Sequence, residues 1–181
     1  TLDADDPVLV EVPSTTATAQ RLHAVTAEAF ASLAAAAKAD LGLDLAIASG
    51  YRPHRWRSRA HYEEALIKEY GSVAVGRKYR AYASPHETGL ALDFGVGGLE
   101  PKRATIDAQQ KTPLWKWLVE HAFEHGFSPY KREPWHWELA ISRDAWETGE
   151  VPPGDAGWRP VSARGLDEDD DFIEADFEGF P

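Results

Sequence analysis

From about Thr16 to Leu41, Leu22, Val25, Ala29, Leu33 and Ala36 recur at the spacing of one helical face, and Gly42 closes the run. Residues 1–15, with Pro7 and Pro13, read as an extended lead-in. Leu43–Ala48 is a short apolar run bounded by Ser49 and Gly50, the signature of a buried strand. Arg55–Tyr70 has helical character and stops at Gly71. Residues 71–88 carry several glycine, serine and proline signals and read as a long loop, a feature that compact domains usually keep for function. Leu90–Phe94 reads as a strand and Gly95–Gly98 as a turn. Pro113 then opens a helix that runs through Leu114–His125 to Gly126, and Trp135–Ile141 alternates as a strand. The order helix, strand, helix, strand, helix, strand predicts an α+β fold, a small mixed or antiparallel sheet flanked by helices. Pattern alone leaves a parallel α/β arrangement open.

Composition narrows the picture. A chain of 181 residues with 43% hydrophobic residues and seven tryptophans suits one domain with one core. No stretch approaches the roughly 20 apolar residues of a membrane span. There is no internal repeat. Cysteine is absent, so disulfides and thiolate ligands are excluded, and a zinc site would have to use His, Asp or Glu. Methionine is absent even from position 1, which leads to the expectation of a processed chain whose signal peptide has been removed.

The net charge of -11 argues against nucleic acid as a partner. It is unevenly spread. Residues 164–181 carry eight acids against one arginine, whereas residues 52–80 carry eight Lys or Arg against three Glu. The basic segment either attracts an anionic peptide or small ligand or is a solvated helix face. The chain thus divides into a domain over 1–163 and an acidic tail over 164–181. Phe172 and Phe177 are the tail residues expected to fix it, either against the basic segment or against a neighbouring molecule.

Two stretches carry chemistry: Ser84-Pro85-His86-Glu87-Thr88-Gly89-Leu90-Ala91-Leu92-Asp93 and Glu133-Pro134-Trp135-His136-Trp137. A catalytic zinc takes three protein ligands from imidazoles and carboxylates and keeps one position open for water. His86 ends a loop, Asp93 follows in a strand, and Gly89 permits a tight turn between them. His136, on a separate strand, can supply the third ligand. Glu133, three residues before it, is placed to take a proton from water and pass it to a leaving amine.

These residues resemble the zinc D-Ala-D-Ala carboxypeptidases and dipeptidases related to the vancomycin-resistance enzymes, the VanY-like peptidases. Their pattern is S-x-H-x-x-G-x-A-x-D followed by E-x-W-H. Ser84, His86, Gly89, Ala91 and Asp93 match its first part, and Glu133, Trp135 and His136 its second. Ser49-Gly50-Tyr51-Arg52 resembles the S-G-Y-R that precedes them, so the likeness spans about residues 45–140. It implies one zinc ion on His86, Asp93 and His136 in a cleft on the sheet, with Glu133 as general base. Arg52 would stabilise the oxyanion or the substrate carboxylate. The implied substrate is a peptidoglycan stem peptide or muropeptide, and the implied location the cell envelope, periplasmic or secreted. Endopeptidase and L,D-carboxypeptidase activities on the same fold are the alternatives, with a non-catalytic zinc-containing binding module as the rival class. Pro85 departs from the polar residue of many relatives, and residues 53–61 are richer in Arg and His.

Each residue also has a plainer reading. Arg52 can simply pair with a carboxylate, and Ser84 is either a loop cap or a substrate contact. Arg80, Lys131 and Arg132 are further cations for a terminal carboxylate. A second motif competes: His121-Ala122-Phe123-Glu124-His125 matches H-x-x-E-H and would make Glu124 the base. The apolar residues around it, and the favourable placing of His at a helix C-terminus, explain that helix without a metal. His23, His54 and His61 are expected at the surface.

Overall fold

The computed structural model describes residues 1–130 and 133–150. Lys131, Arg132 and the acidic tail lie outside them. The element order is β1 (Leu9–Val12), β2 (Gln20–His23), α1 (Ala24–Leu41), β3 (Ile47–Ser49), α2 (Arg59–Tyr70), α3 (Val73–Gly76), β4 (Ala91–Phe94), α4 (Ile106–Gln110), α5 (Pro113–His121), β5 (Phe127–Tyr130), β6 (Glu133–Leu139) and α6 (Arg143–Thr148). The fold is α+β, and its four-stranded sheet has the order β3-β4-β6-β5 with every pairing antiparallel.

Three expectations need correction. The first helix starts at Ala24 rather than Thr16. Gln20–His23 instead pairs with Leu9–Val12 as a hairpin, so the lead-in is partly a strand. Leu22, fully buried, satisfies a strand face as well as a helix face, and periodicity could not separate the two. His23 begins the helix: its Nδ1 accepts the Val25 N–H at 3.2 Å. Second, the loop over 71–88 contains α3, capped by Ser72, and a 3-10 turn over Pro85–Thr88. Third, the sequence pattern assigns no element to Phe127–Tyr130, which is strand β5 and contains Pro129. The structure puts it at the sheet edge, where proline's missing N–H is tolerated.

The core lies between α1, one face of the sheet and α5. Val25, Phe30, Leu33 and Ala37 of α1 meet Ile47, Leu92, Phe94, Trp137 and Leu139 of the sheet and Leu114, Trp117 and Leu118 of α5. Each fully buried Leu or Phe contributes about 1.5–3 kcal/mol. A smaller cluster of Trp56, Tyr62 and Leu66 sits under α2 and α3. The core packs against one face of the central strands β4 and β6, which carry Asp93 and His136.

Candidate metal centre

Register does most of the assembly. In the β4–β6 pair Asp93 lies directly opposite His136, so two residues 43 positions apart become cross-strand neighbours. Trp137, the next residue along, points into the core on the other face and is almost fully buried, which pins the strand's rotation. His86 arrives from the 3-10 turn. Gly89 ends that turn at φ 70°, and its carbonyl accepts the His23 N–H at 3.0 Å. A Cβ there would lie 2.6 Å from the His23 nitrogen, so only glycine lets the turn sit this close to β2.

The S-G-Y-R stretch has a matching structural job. Gly50 passes so close to Arg21 that a Cβ would come within 2.3 Å of its carbonyl oxygen. Its own carbonyl accepts the Nδ1–H of His86 at 2.7 Å, which leaves the His86 Nε2 lone pair facing inward. Arg52 N–H donates to the His86 carbonyl at 3.3 Å. Its guanidinium, half-buried, stands 3.8 Å from Asp93 Oδ2.

Donor atoms of three residues therefore converge. His136 Nδ1 is 2.9 Å from Asp93 Oδ1, His86 Nε2 is 3.3 Å from Asp93 Oδ2, and the two ring nitrogens are 3.2 Å apart. A tetrahedral ion with bonds of about 2.0–2.1 Å separates its ligand atoms by about 3.3 Å. The residues match such an ion in donor type, one ligand atom from each lies within 4.8 Å of the others, and all three residues are at most 2% exposed. Among the described residues this is the one group of three or more His, Asp or Glu side chains arranged to hold a metal.

Electrostatics follow the same geometry. Burial opposes ionisation of Asp93, but His86 and His136 outweigh it and hold the carboxyl far below its ordinary range. Burial lowers the pKa of His86, and Arg52 and His136 add to that against the pull of Asp93. His136 goes the other way. Burial works against its charge, yet the bonds to Asp93 and Glu138 raise it to about 10. The cluster favours positive charge between its carboxylates, where a divalent cation would compete with the proton on His136.

The remaining predicted residues fall into place unevenly. Ser84 caps the 3-10 turn, its Oγ accepting from His86 N at 3.4 Å, while Glu87 closes a reciprocal capping box by accepting from Ser84 N at 3.2 Å. Glu133 is buried at the start of β6 and lies outside the converging set. It lines a narrow cavity with Tyr130, Pro134 and Trp115, and the Tyr130 ring meets His136 edge-on at 5.3 Å. Arg80 is engaged by Glu69 at 2.9 Å and Tyr70 at 3.1 Å, away from the donors.

The competing helical motif does not assemble. α5 stops at His121, a 3-10 turn covers Ala122–His125, and the two histidines find separate partners, Glu124 and Ser32. His23, expected at the surface, is buried. His54 and His61 are half-buried, His54 bonding Glu87 at 3.0 Å and His61 accepting the Arg57 N–H at 3.3 Å. Glu138, missed from the sequence, accepts the Nε2–H of His136 at 2.9 Å. Strand period was the available signal, since positions 136 and 138 share a face.

An antiparallel α+β domain that brings a turn histidine together with an aspartate and a histidine from adjacent strands, all three buried, has a donor set that could hold a metal ion. The family model for VanY, D-alanyl-D-alanine carboxypeptidase, matches residues 19–140, and the chain belongs to that family. This match begins well before residue 45, taking in β2 and α1. Among solved structures, the chain is similar to the LdcB LD-carboxypeptidase, at 24% identity and a TM-score of 0.59, over 80% of this chain and 75% of that one. It is also similar to a mutant of the vancomycin resistance D,D-pentapeptidase VanY in complex with Zn(II), at 22% identity and a TM-score of 0.46, over 79% and 85%. VanYB in complex with D-alanine-D-alanine gives 22% identity and a TM-score of 0.48, over 83% and 88%. No curated protein sequence gives a significant match. Among the described residues no helix is long and apolar enough to cross a membrane.

Proposed function

We propose that this protein is a zinc-dependent D-alanyl-D-alanine carboxypeptidase acting on peptidoglycan stem peptides in the cell envelope, with one zinc ion held by His86, Asp93 and His136. The observation that carries the reading is the convergence of three buried residues, His86, Asp93 and His136, whose ligand atoms lie within 4.8 Å of one another, in a chain of the VanY family. The reading assigns the peptidase to residues 1–163 and leaves the acidic run 164–181 outside it.

Zinc in such a site supplies a Lewis acid that polarises the scissile carbonyl and acidifies water. The chain's own residues do the rest. Glu133 takes the proton of the attacking water and delivers it to the leaving amine. Its burial weakens competition from solvent for that proton. Arg52 brings a guanidinium within 4 Å of the donor cluster, where it neutralises the oxygen charge that develops as the carbonyl becomes tetrahedral. Ser84 serves chiefly to set His86 through the capping box, and its hydroxyl is a secondary substrate contact.

The test is incubation of the zinc-supplemented protein with defined tetrapeptide, pentapeptide and cross-linked muropeptides, with products identified by mass. Loss of one D-alanine from the pentapeptide is expected. Loss from the tetrapeptide would redirect the assignment to L,D-carboxypeptidase activity, and internal cleavage to an endopeptidase. No product from any of them would leave a binding module.

A further inference from the structure

The two histidines of the centre are held differently on their outer sides. His86 donates its Nδ1–H to a backbone carbonyl, that of Gly50, at 2.7 Å. His136 donates its Nε2–H to a side-chain carboxylate, Glu138 Oε1, at 2.9 Å. The period of β6 puts residues 136 and 138 on one face, and the strand partners of Glu138 are the small residues Ala91 and Ser128. Nothing bulky there deflects the carboxylate from the ring. Glu138 also lies toward the strand's end, with its side chain 36% exposed.

We propose that Glu138 is a positioning residue for the metal. By accepting the Nε2–H of His136 it fixes the ring so that the Nδ1 lone pair faces the point shared with His86 and Asp93. It also adds negative charge behind the imidazole, making that nitrogen a stronger donor. The backbone carbonyl behind His86 fixes orientation without a full charge, so the two imidazoles differ in donor strength by construction. The inference rests on the reading of these three donors as a metal site.

The test is zinc affinity, measured by competition with a chromophoric chelator on wild type, Glu138→Gln, Glu138→Ala and His136→Ala. Glu138→Gln keeps an acceptor oxygen and loses the charge, and Glu138→Ala loses both. The expected order of dissociation constants is wild type, then Glu138→Gln, then Glu138→Ala, with the last weakened about ten- to a hundredfold. Thermal unfolding of the metal-free proteins separates this from damage to the fold, since a residue that merely stabilises β6 would lower both forms and leave the zinc constant alone. If Glu138→Ala does not fold, the near-isosteric Glu138→Gln carries the test, with severalfold weakening expected. An unchanged constant in Glu138→Ala, a Glu138→Gln no better than Glu138→Ala, or, in that fallback, an unchanged Glu138→Gln overturns the proposal. A wild type that binds zinc no better than His136→Ala would instead overturn the metal reading itself.

Discussion

Two stretches of this chain carry histidines and carboxylates at spacings that peptidases use, and they meet opposite fates. The pair on α5 and its following turn, His121 and His125 with Glu124, is contiguous in sequence yet turns its side chains to different neighbours. The set on the sheet is scattered over 51 positions, from His86 to His136, yet its donor atoms lie about 3 Å apart. The difference is in what surrounds them. The helical set sits at a partly exposed helix end where α-geometry breaks into a 3-10 turn, so the i and i+4 side chains no longer share a face. The sheet set is gripped by register, by the core under Trp137 and by acceptors behind both rings. A metal site needs orientation that is fixed before the ion arrives, and packing supplies that where spacing does not.

The largest expected effect tests the comparison directly. His86→Ala or His136→Ala should lose zinc on dialysis, while His121→Ala and His125→Ala should keep it, as read by metal content per protein. Full retention in both sheet variants would reverse the assignment. Next, Glu133→Gln should keep the metal and lose about a hundred- to ten-thousandfold in rate. Glu124→Gln should be near wild type, and the opposite pattern would return the base to the helix.

Arg52→Lys comes third. A guanidinium that stabilises developing charge is poorly replaced by an ammonium, so kcat should fall about a hundred- to a thousandfold. KM should change little; a rise in KM alone would make Arg52 a substrate clamp.

The smallest effect concerns a buried histidine outside the centre. Burial depresses the pKa of His23, against the opposing influences of Trp146 and Asp6, and its neutral Nδ1 caps α1. The contribution to stability is therefore complete above the unfolded-state pKa of about 6.5. It is lost as pH falls through the lower folded value, because the unfolded chain then binds a proton that the folded one resists. An N-cap is worth about 0.5–2 kcal/mol. Chemical denaturation of the metal-free protein between about pH 7 and pH 5 should show a decline of that order, and His23→Asn, which caps without titrating, should flatten it. An equal decline in the variant would assign the pH response to other groups.

Much of the centre was legible in the linear chain. His86, Asp93 and His136, which folding brings together, could be singled out because a metal would draw on few residue types, and the glycines around them mark close backbone approaches. The helices ending at Gly42 and Gly71 were equally visible, since C-terminal glycine is a local signal, whereas Gly126 ends a 3-10 turn that follows α5 rather than α5 itself. What local pattern could not decide was anything set by a partner strand. Gln20–His23 passes for helix until Leu9–Val12 pairs with it, and Phe127–Tyr130 shows no strand pattern of its own until an edge position accommodates its proline. Glu138 and the Gly50 carbonyl acquire meaning only when folding brings them behind the two imidazoles. Residue identity is a property of the chain, but orientation comes from register and packing between segments far apart in it, and that only the tertiary structure decides.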